Sequence, residues 1–439
     1  FFKIINCMKK IFLLLVTVFV FTIVKSQTLA QFLNQKKEGY KISGEIKGMQ
    51  DTTVILAYYF GGKQYATDTT EITNGKLTFS GDKELEGGIY LMVLPGGKYF
   101  ELIISEQKFS FTTDKNDLVQ SMRFQNSREN TTFYEYLNYI TEKQKEVSPL
   151  KEKQNNAKSE EEKEKIQKEI AKVDEDVREY RNTFNKKYPN VFFSKIIRAT
   201  TDIQIPETPL DSVGKPKENF SFYYYRKHFW DNMDFSDERM LRTPIFFNKM
   251  DQYLEKLSPK HPDSIIISAD IMVERSRANK EVFQYVVSYI TSTYERSKIM
   301  GMDAVFVHMV EKYYINGECD WVKEKQLKKI IERANRISPN MIGKKPPNLV
   351  FKDTVNRYHS LYHLQAKYTL LFFYDPDCGH CKEEAPKVKV VCDSLIEAGI
   401  DIKVFAVNTE FDIEKWKEFI KKFDVGNWIN VGDIQFDEE

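Results

Sequence analysis

Residues 368–381 read YTLLFFYDPDCGHC, and this stretch decides the interpretation of the C-terminal part of the chain. Its first seven residues are apolar or aromatic apart from one threonine, which predicts a β-strand buried on both faces of a sheet. The next three residues turn the chain, and a helix is predicted from Cys378 to about Ala398. The two cysteines therefore stand three residues apart where a strand gives way to a helix.

The segments on either side extend this pattern. Residues 348–351 predict a short strand, 402–408 a second buried strand, and 412–423 a helix with Asp412 as its N-cap. Strand, helix, strand and helix in this order predict a parallel sheet with right-handed crossovers. Two consecutive prolines that end at Pro347 cannot continue a helix, so we expect the α/β domain to begin at about residue 346.

The spacing of the two cysteines suits thiol chemistry. A cysteine in the first turn of a helix lies near unpaired backbone N–H groups and the positive end of the helix dipole. Both lower the thiol pKa from about 8.5 into the range of roughly 3.5 to 7.5. The sequence therefore predicts Cys378 as the nucleophile and Cys381, one turn later and more buried, as the thiol that resolves a mixed disulfide. His380 is predicted to stabilise the thiolate when protonated and to make the pair more oxidising.

Residues 369–381, together with Pro386, resemble the thioredoxin superfamily, specifically its exported TlpA/ResA-like thiol-disulfide oxidoreductases. Pro386, five residues after the second cysteine, matches the proline that bends the active-site helix, and Tyr374 stands near a position where relatives often carry Trp. The resemblance covers about residues 346–439. It implies a thioredoxin-like fold, no metal or organic cofactor, protein thiols and disulfides as substrates, and a redox partner in the cell envelope.

One part of the superfamily pattern is missing from the sequence. Relatives carry a cis-proline on a later strand beside the two cysteines, whereas no proline follows Pro386 here. We therefore expect a C-terminally truncated thioredoxin-like domain, with one edge of the active-site strand unpaired and part of the apolar face uncovered.

The N-terminus has the pattern of a secretory signal peptide. Met8 and two lysines precede an apolar run of 14 residues that ends at Val24, and the small residue Ser26 follows. Spanning a bilayer takes about 20 residues, so we expect a signal peptide over residues 1–26, with an uncleaved anchor as the alternative. Export would place the protein in the periplasm or cell envelope, with no other membrane contact. The net charge of +1 gives no indication of a nucleic-acid partner.

Two further regions precede the redox stretch. Residues 38–118 alternate between apolar and polar positions and contain Asn74-Gly75, which predicts a type I′ hairpin within an antiparallel β sandwich-like domain. Residues 130–342 have helical periodicity and include a charged helical hairpin, with Pro149 expected between its two helices. The apolar seam of the second helix consists of Ile166, Ile170, Val173, Val177 and Tyr180. The predicted architecture is multidomain α+β, and the sequence assigns no chemistry to either region.

Three alternative functions are compatible with the same sequence. A zinc site could combine the cysteine pair with His359 and His363. A thiol peroxidase would need P-x-x-x-T-x-x-C, where this chain has Leu371 and Asp375 in place of the proline and the threonine. The third alternative is a non-catalytic envelope binding or scaffold protein with an inactive thioredoxin-like domain. The remaining cysteines of the mature chain, Cys319 in a loop and Cys392 on the active-site helix, are predicted to have no catalytic role.

Overall fold

The computed structural model describes residues 39–433, so the predicted signal peptide at residues 1–26 lies outside the described residues. The chain divides into two compact units, one ending at Leu327 and the other beginning at Lys328. The first unit contains both the β region and most of the helical region, which the sequence patterns distinguish by their different periods.

The N-terminal β region consists of two four-stranded sheets. Their strand orders are β4-β1-β7-β8 and β3-β2-β5-β6. The bounds are β1 Tyr40–Lys47, β2 Thr52–Phe60, β3 Lys63–Ile72, β4 Lys76–Gly81, β5 Gly88–Val93, β6 Tyr99–Ile104, β7 Lys108–Asp114 and β8 Arg123–Gln125. The strands pair in antiparallel fashion as predicted, except that β1 and β7 run parallel. Between β1 and β7 the chain enters the second sheet twice, for β2 and β3 and again for β5 and β6.

The predicted type I′ turn is present at Asn74-Gly75. Both residues have positive φ, 48° and 76°, and Thr73 and Lys76 exchange backbone hydrogen bonds of 2.9 and 3.0 Å. The flanking strands β3 and β4 continue into different sheets, so the turn links the two sheets of the sandwich. Between the sheets, the rings of Phe100 and Phe111 meet edge to face at 5.5 Å.

The helical region begins with the predicted hairpin of two long helices. The bounds of its helices are α1 Arg128–Asn156, α2 Glu160–Lys187, α3 Phe192–Ala199, α4 Phe220–His228, α5 Pro244–Glu255, α6 Pro262–Ser276, α7 Lys280–Glu295, α8 Asp303–Met309 and α9 Glu324–Ile337. Ile166 and Ile170 of the predicted seam are buried, and Tyr180 of the seam stacks on Tyr139 of α1 at 3.6 Å. Within residues 39–433, no helix is both long and apolar enough to cross a membrane.

The position predicted for Pro149 was wrong. It lies inside α1, and the turn between the helices falls eight residues later, at residues 157–159. Ser159 accepts a hydrogen bond from Glu162 N and so caps α2. Pro149 itself lies at an exposed position and has no backbone N–H to donate within the helix.

The C-terminal unit has the predicted α/β arrangement. Its elements are β9 Val350–Lys352, β10 Tyr358–Ser360, β11 Tyr368–Tyr374, α10 Gly379–Glu397, β12 Ile402–Asn408, α11 Ile413–Lys422 and β13 Ile429–Gly432. The sheet order is β10-β9-β13-β12-β11, with β11, β12 and β13 parallel. Asp412 caps α11 as predicted, by accepting hydrogen bonds from the N–H groups of Glu414 and Lys415. This is the fold that brings the end of β11 and the start of α10 together.

The apolar run of β11 is buried on one face and not on both, and its other face is uncovered, as expected for part of the apolar surface. Leu371 is 36% exposed and Phe373 56% exposed, whereas Tyr374 on the opposite face is buried. Among the described residues β11 pairs with β12 alone, so it forms an edge of the sheet. Its buried face packs against α10 and α11. On the other face of the sheet, Phe405, Val407 and Val431 form a small cluster with Leu349, Phe351, Leu361, Leu364 and Ile429, and no residue of β11 belongs to this cluster.

Candidate functional site

The redox stretch forms a tight turn between β11 and α10. Cys378 is the N-cap residue of α10, and its N–H donates to the Asp375 carbonyl at 3.1 Å. Lys382 N–H donates to the Cys378 carbonyl at 3.2 Å, which closes the first turn of the helix. Cys378 therefore lies where unpaired backbone N–H groups of a helix converge, as the sequence predicts.

The environment of Cys378 favours its thiolate. The backbone N–H of Cys381 is the largest cause that lowers the pKa of the Cys378 thiol, followed by a hydrogen bond from the Cys381 side chain. The backbone N–H of His380 lowers this pKa further, while the charge of Asp375 acts in the opposite direction. The thiol is only half-buried, so a second molecule can reach it.

The environment of Cys381 favours its protonated thiol. Burial is the largest cause that raises the pKa of its thiol, and the hydrogen bond and charge of Cys378 add to it. The side chain packs against the apolar core beneath α10. Two neighbouring thiols on one helix turn thus differ in the direction of their pKa shifts, which matches an attacking thiol and a resolving thiol.

His380 is exposed, and its backbone rather than its imidazole contributes to the environment of Cys378. Glu384, one turn further along α10, has a lowered pKa because of its hydrogen bond with Lys387 and, to a smaller extent, the charge of His380. The tuning role of the imidazole therefore stays a prediction.

A buried hydrogen-bond network that the sequence analysis missed fixes the end of β11. Tyr374 O–H donates to Asn430 Oδ1 at 3.1 Å and accepts from Trp416 Nε1 at 2.8 Å. Asn430 Nδ2 donates to the carbonyls of Val425 and Trp428. Burial raises the pKa of Tyr374, so its hydroxyl stays protonated as a donor. The network ties the strand that leads to Cys378 to α11 and the segment before β13.

Charged side chains lie beside the turn. Carboxylate oxygens of Asp375, Asp377 and Glu410 all lie within 4.8 Å of one another, and Lys415 Nζ contacts Asp377 Oδ2 at 2.6 Å. Among residues 39–433 this acidic trio, of which Asp377 is exposed and the other two are half-buried, is the one group of three whose spacing could suit a metal ion. Within the same residues the cysteine pair forms no such group with His359 or His363. His359 Nε2 instead contacts Asp353 Oδ2 at 2.9 Å.

The other two described cysteines are buried. Cys392, near the C-terminal end of α10, is 2% exposed and lies in the core of the unit. Cys319, predicted in a loop, does lie in a loop of the first unit but is only 4% exposed, and burial raises its pKa to about 12. Pro386 lies inside α10, where it removes one backbone donor from the helix.

Three family models match successive parts of the chain. Residues 40–133 match a domain of unknown function, DUF4369, and residues 151–340 match another, DUF5106. Residues 342–430 match the AhpC/TSA family. No curated protein matches the chain.

Solved structures with similarity to the chain come from several bacteria. A thioredoxin-like protein from Bacteroides caccae is 22% identical, with a TM-score of 0.39 over 52% of this chain and 83% of its own length. A domain of a possible thiol-disulfide isomerase from Cytophaga hutchinsonii is 44% identical, with a TM-score of 0.20 over 21% of this chain and 62% of its own. The thioredoxin domain of a Bacteroides vulgatus thiol-disulfide oxidoreductase is 24% identical, with a TM-score of 0.19 over 20% of this chain and 61% of its own.

Proposed function

We propose that the chain is a thiol-disulfide oxidoreductase whose redox pair is Cys378 and Cys381, since residues 342–430 match the AhpC/TSA family and form a thioredoxin-like domain. The observation that carries the proposal is the placement of the two thiols: Cys378 is half-buried at the N-cap of α10, and Cys381 packs against the apolar core one turn later. The opposite directions of their pKa shifts agree with this placement. Its substrates are protein thiols and disulfides. The N-terminal sequence pattern supports a periplasmic or envelope location, where a second redox protein would set the direction of electron flow.

The first step is attack on a substrate disulfide. The Cys378 thiolate attacks one sulfur of the substrate, a mixed disulfide forms, and the second substrate sulfur leaves as a thiolate that takes up a proton from water. The lowered pKa of Cys378 raises the fraction of attacking thiolate at neutral pH.

The second step releases the substrate. Cys381 gives up its proton and attacks Cys378 Sγ, the mixed disulfide breaks, and the remaining substrate sulfur leaves as a thiolate. The substrate gains two electrons and the protein is left with a Cys378–Cys381 disulfide. Run in reverse, the same steps oxidise a substrate dithiol and reduce the protein.

A turnover assay with single-cysteine variants tests this function. The full chain should reduce a model protein disulfide, such as insulin, at the expense of dithiothreitol. C378S should remove this activity, and C381S should accumulate a mixed disulfide with the substrate. C392A is the matched control, because Cys392 lies on the same helix away from the turn.

Three outcomes would overturn the proposal. If the C378S variant is as active as the unaltered chain, the redox pair is misassigned. Recovery of the chain with zinc bound to both thiols would favour the metal-site alternative, and faster reaction with hydrogen peroxide than with disulfides would favour a thiol peroxidase.

A further inference from the structure

Lys415 lies in the first turn of α11 and reaches the residue that precedes Cys378. Its Nζ contacts Asp377 Oδ2 at 2.6 Å. Neighbouring carboxylates fix the backbone at both residues, because Asp412 Oδ1 accepts from Lys415 N at 3.2 Å and Asp375 Oδ1 accepts from Asp377 N at 2.7 Å. The ion pair therefore links the turn that carries Cys378 to the start of α11.

The ion pair between Lys415 and Asp377 lies in a group of three carboxylates. Asp375, Asp377 and Glu410 present carboxylate oxygens within 4.8 Å of one another, at the start of the helix that carries the redox pair. The charge of Asp375 is among the causes that raise the thiol pKa of both Cys378 and Cys381. Any further negative charge beside these carboxylates that no cation offsets would also raise the pKa of the Cys378 thiol.

Lys415 supplies the positive charge in direct contact with this group. Its hydrogen bond is the largest cause that lowers the pKa of Asp377, and the hydrogen bond of Asp377 is the largest cause that raises the pKa of Lys415. The other charges that act on the pair are Lys382 of α10 on Asp377, and Glu410 and Asp412 on Lys415. Both side chains are about half exposed, so the ion pair adds little to the free energy of unfolding. Its main effect is to change the net charge beside the two thiols.

We infer that Lys415 is a positioning residue for the redox pair: by binding Asp377 it offsets the carboxylates beside Cys378 and so favours the thiolate form of that cysteine. Lys415 acts through Asp377 and contacts neither thiol. The inference rests on the proposed function, because a preference for the thiolate matters only if Cys378 attacks disulfides.

The test is the pH profile for alkylation of Cys378 by iodoacetamide in the full chain, read by mass spectrometry. K415Q should move the midpoint upward by about 0.4 pH unit, the effect of one charge several ångströms away through water, and slow labelling below the midpoint about 2.5-fold. D377N should move the midpoint downward, because Lys415 would then face Asp375 and Glu410 with one carboxylate fewer. K415R should have the same midpoint as the unaltered chain, because arginine keeps the positive charge.

K417Q is the matched control, since Lys417 pairs with Glu414 at 2.9 Å on the same helix and should leave the midpoint in place. An unmoved midpoint in K415Q, or equal shifts in the same direction for K415Q and D377N, would reject the inference in favour of a merely structural contact. If disulfide exchange continues normally in that case, the proposed function survives. If the unaltered chain forms no Cys378–Cys381 disulfide, the proposed function itself is rejected.

Discussion

The two ends of helix α10 give the same residue type opposite environments. At its start, Cys378 is half-buried and lies beside N–H groups that have no partner within the helix, and its thiol pKa is lowered. Near its end, Cys392 is 2% exposed, and burial is the largest cause that raises its thiol pKa. Position along the helix and burial therefore decide which cysteine can act as a nucleophile, while residue type alone does not.

The largest expected effect comes from removing the nucleophile. C378S should lower disulfide exchange by about 100-fold or more, because a serine hydroxyl at this pH supplies almost no anion to attack a disulfide. C392A should change exchange less than about twofold, since Cys392 contributes only packing. A large loss of disulfide exchange in C392A, measured with the same substrate, would contradict the claim that Cys392 only packs while Cys378 reacts.

The next effect separates the two cysteines of the turn. C381S should still form the mixed disulfide at Cys378 but release the substrate slowly, because the resolving thiol is gone. The measurement is the yield of the covalent complex on a non-reducing gel, with C378S as the comparison that should form none. Equal yields from both variants would show that the two thiols do not have separate roles.

A smaller effect concerns pH. A thiol with a lowered pKa remains a thiolate to lower pH, so at pH 6 we expect Cys378 to be alkylated faster than a free cysteine in an unfolded peptide. Labelling should fall as pH drops through the pKa of Cys378 and level off above it. Cys392 should remain unlabelled until the unit unfolds. Labelling of Cys392 under native conditions would contradict the difference in reactivity between Cys378 and Cys392.

The smallest effect concerns the support of the site. Y374F removes the hydroxyl between Trp416 and Asn430 and leaves both without that partner. Local unfolding at β11 should become easier by about 1–2 kcal/mol, measured by hydrogen exchange of its amides. The control Y368F alters an exposed tyrosine of the same strand and should cost less than about 0.5 kcal/mol. Similar losses in both variants would argue against the buried network as the support of the site.

The elements around the redox pair follow from local sequence signals, and the structure confirms them. The apolar run, the buried strand at 402–408 and the N-cap Asp412 each depend on neighbours within one element, so β11, β12, α10 and α11 appear where predicted. The roles of Cys378, Cys381 and His380 stay predictions, although the pKa shifts of the two thiols agree with the roles assigned to them.

Features that depend on distant residues could not be predicted. The contact of Tyr374 with Asn430 joins residues 56 apart in sequence, and that of Lys415 with Asp377 joins residues 38 apart. No periodicity or motif marks such pairs. Pro149 lies inside α1, although the local rule for proline predicts a break in the helix there.

The most direct test of the central claim is to equilibrate the full chain in glutathione buffers and map its cysteines by mass spectrometry. We predict a two-electron transition that links Cys378 to Cys381, at a potential between the roughly −270 mV of thioredoxin and the roughly −120 mV of strong oxidants, with Cys392 reduced throughout. A chain in which Cys378 and Cys381 stay reduced at every buffer ratio, or in which Cys392 takes the place of either one, would contradict the account.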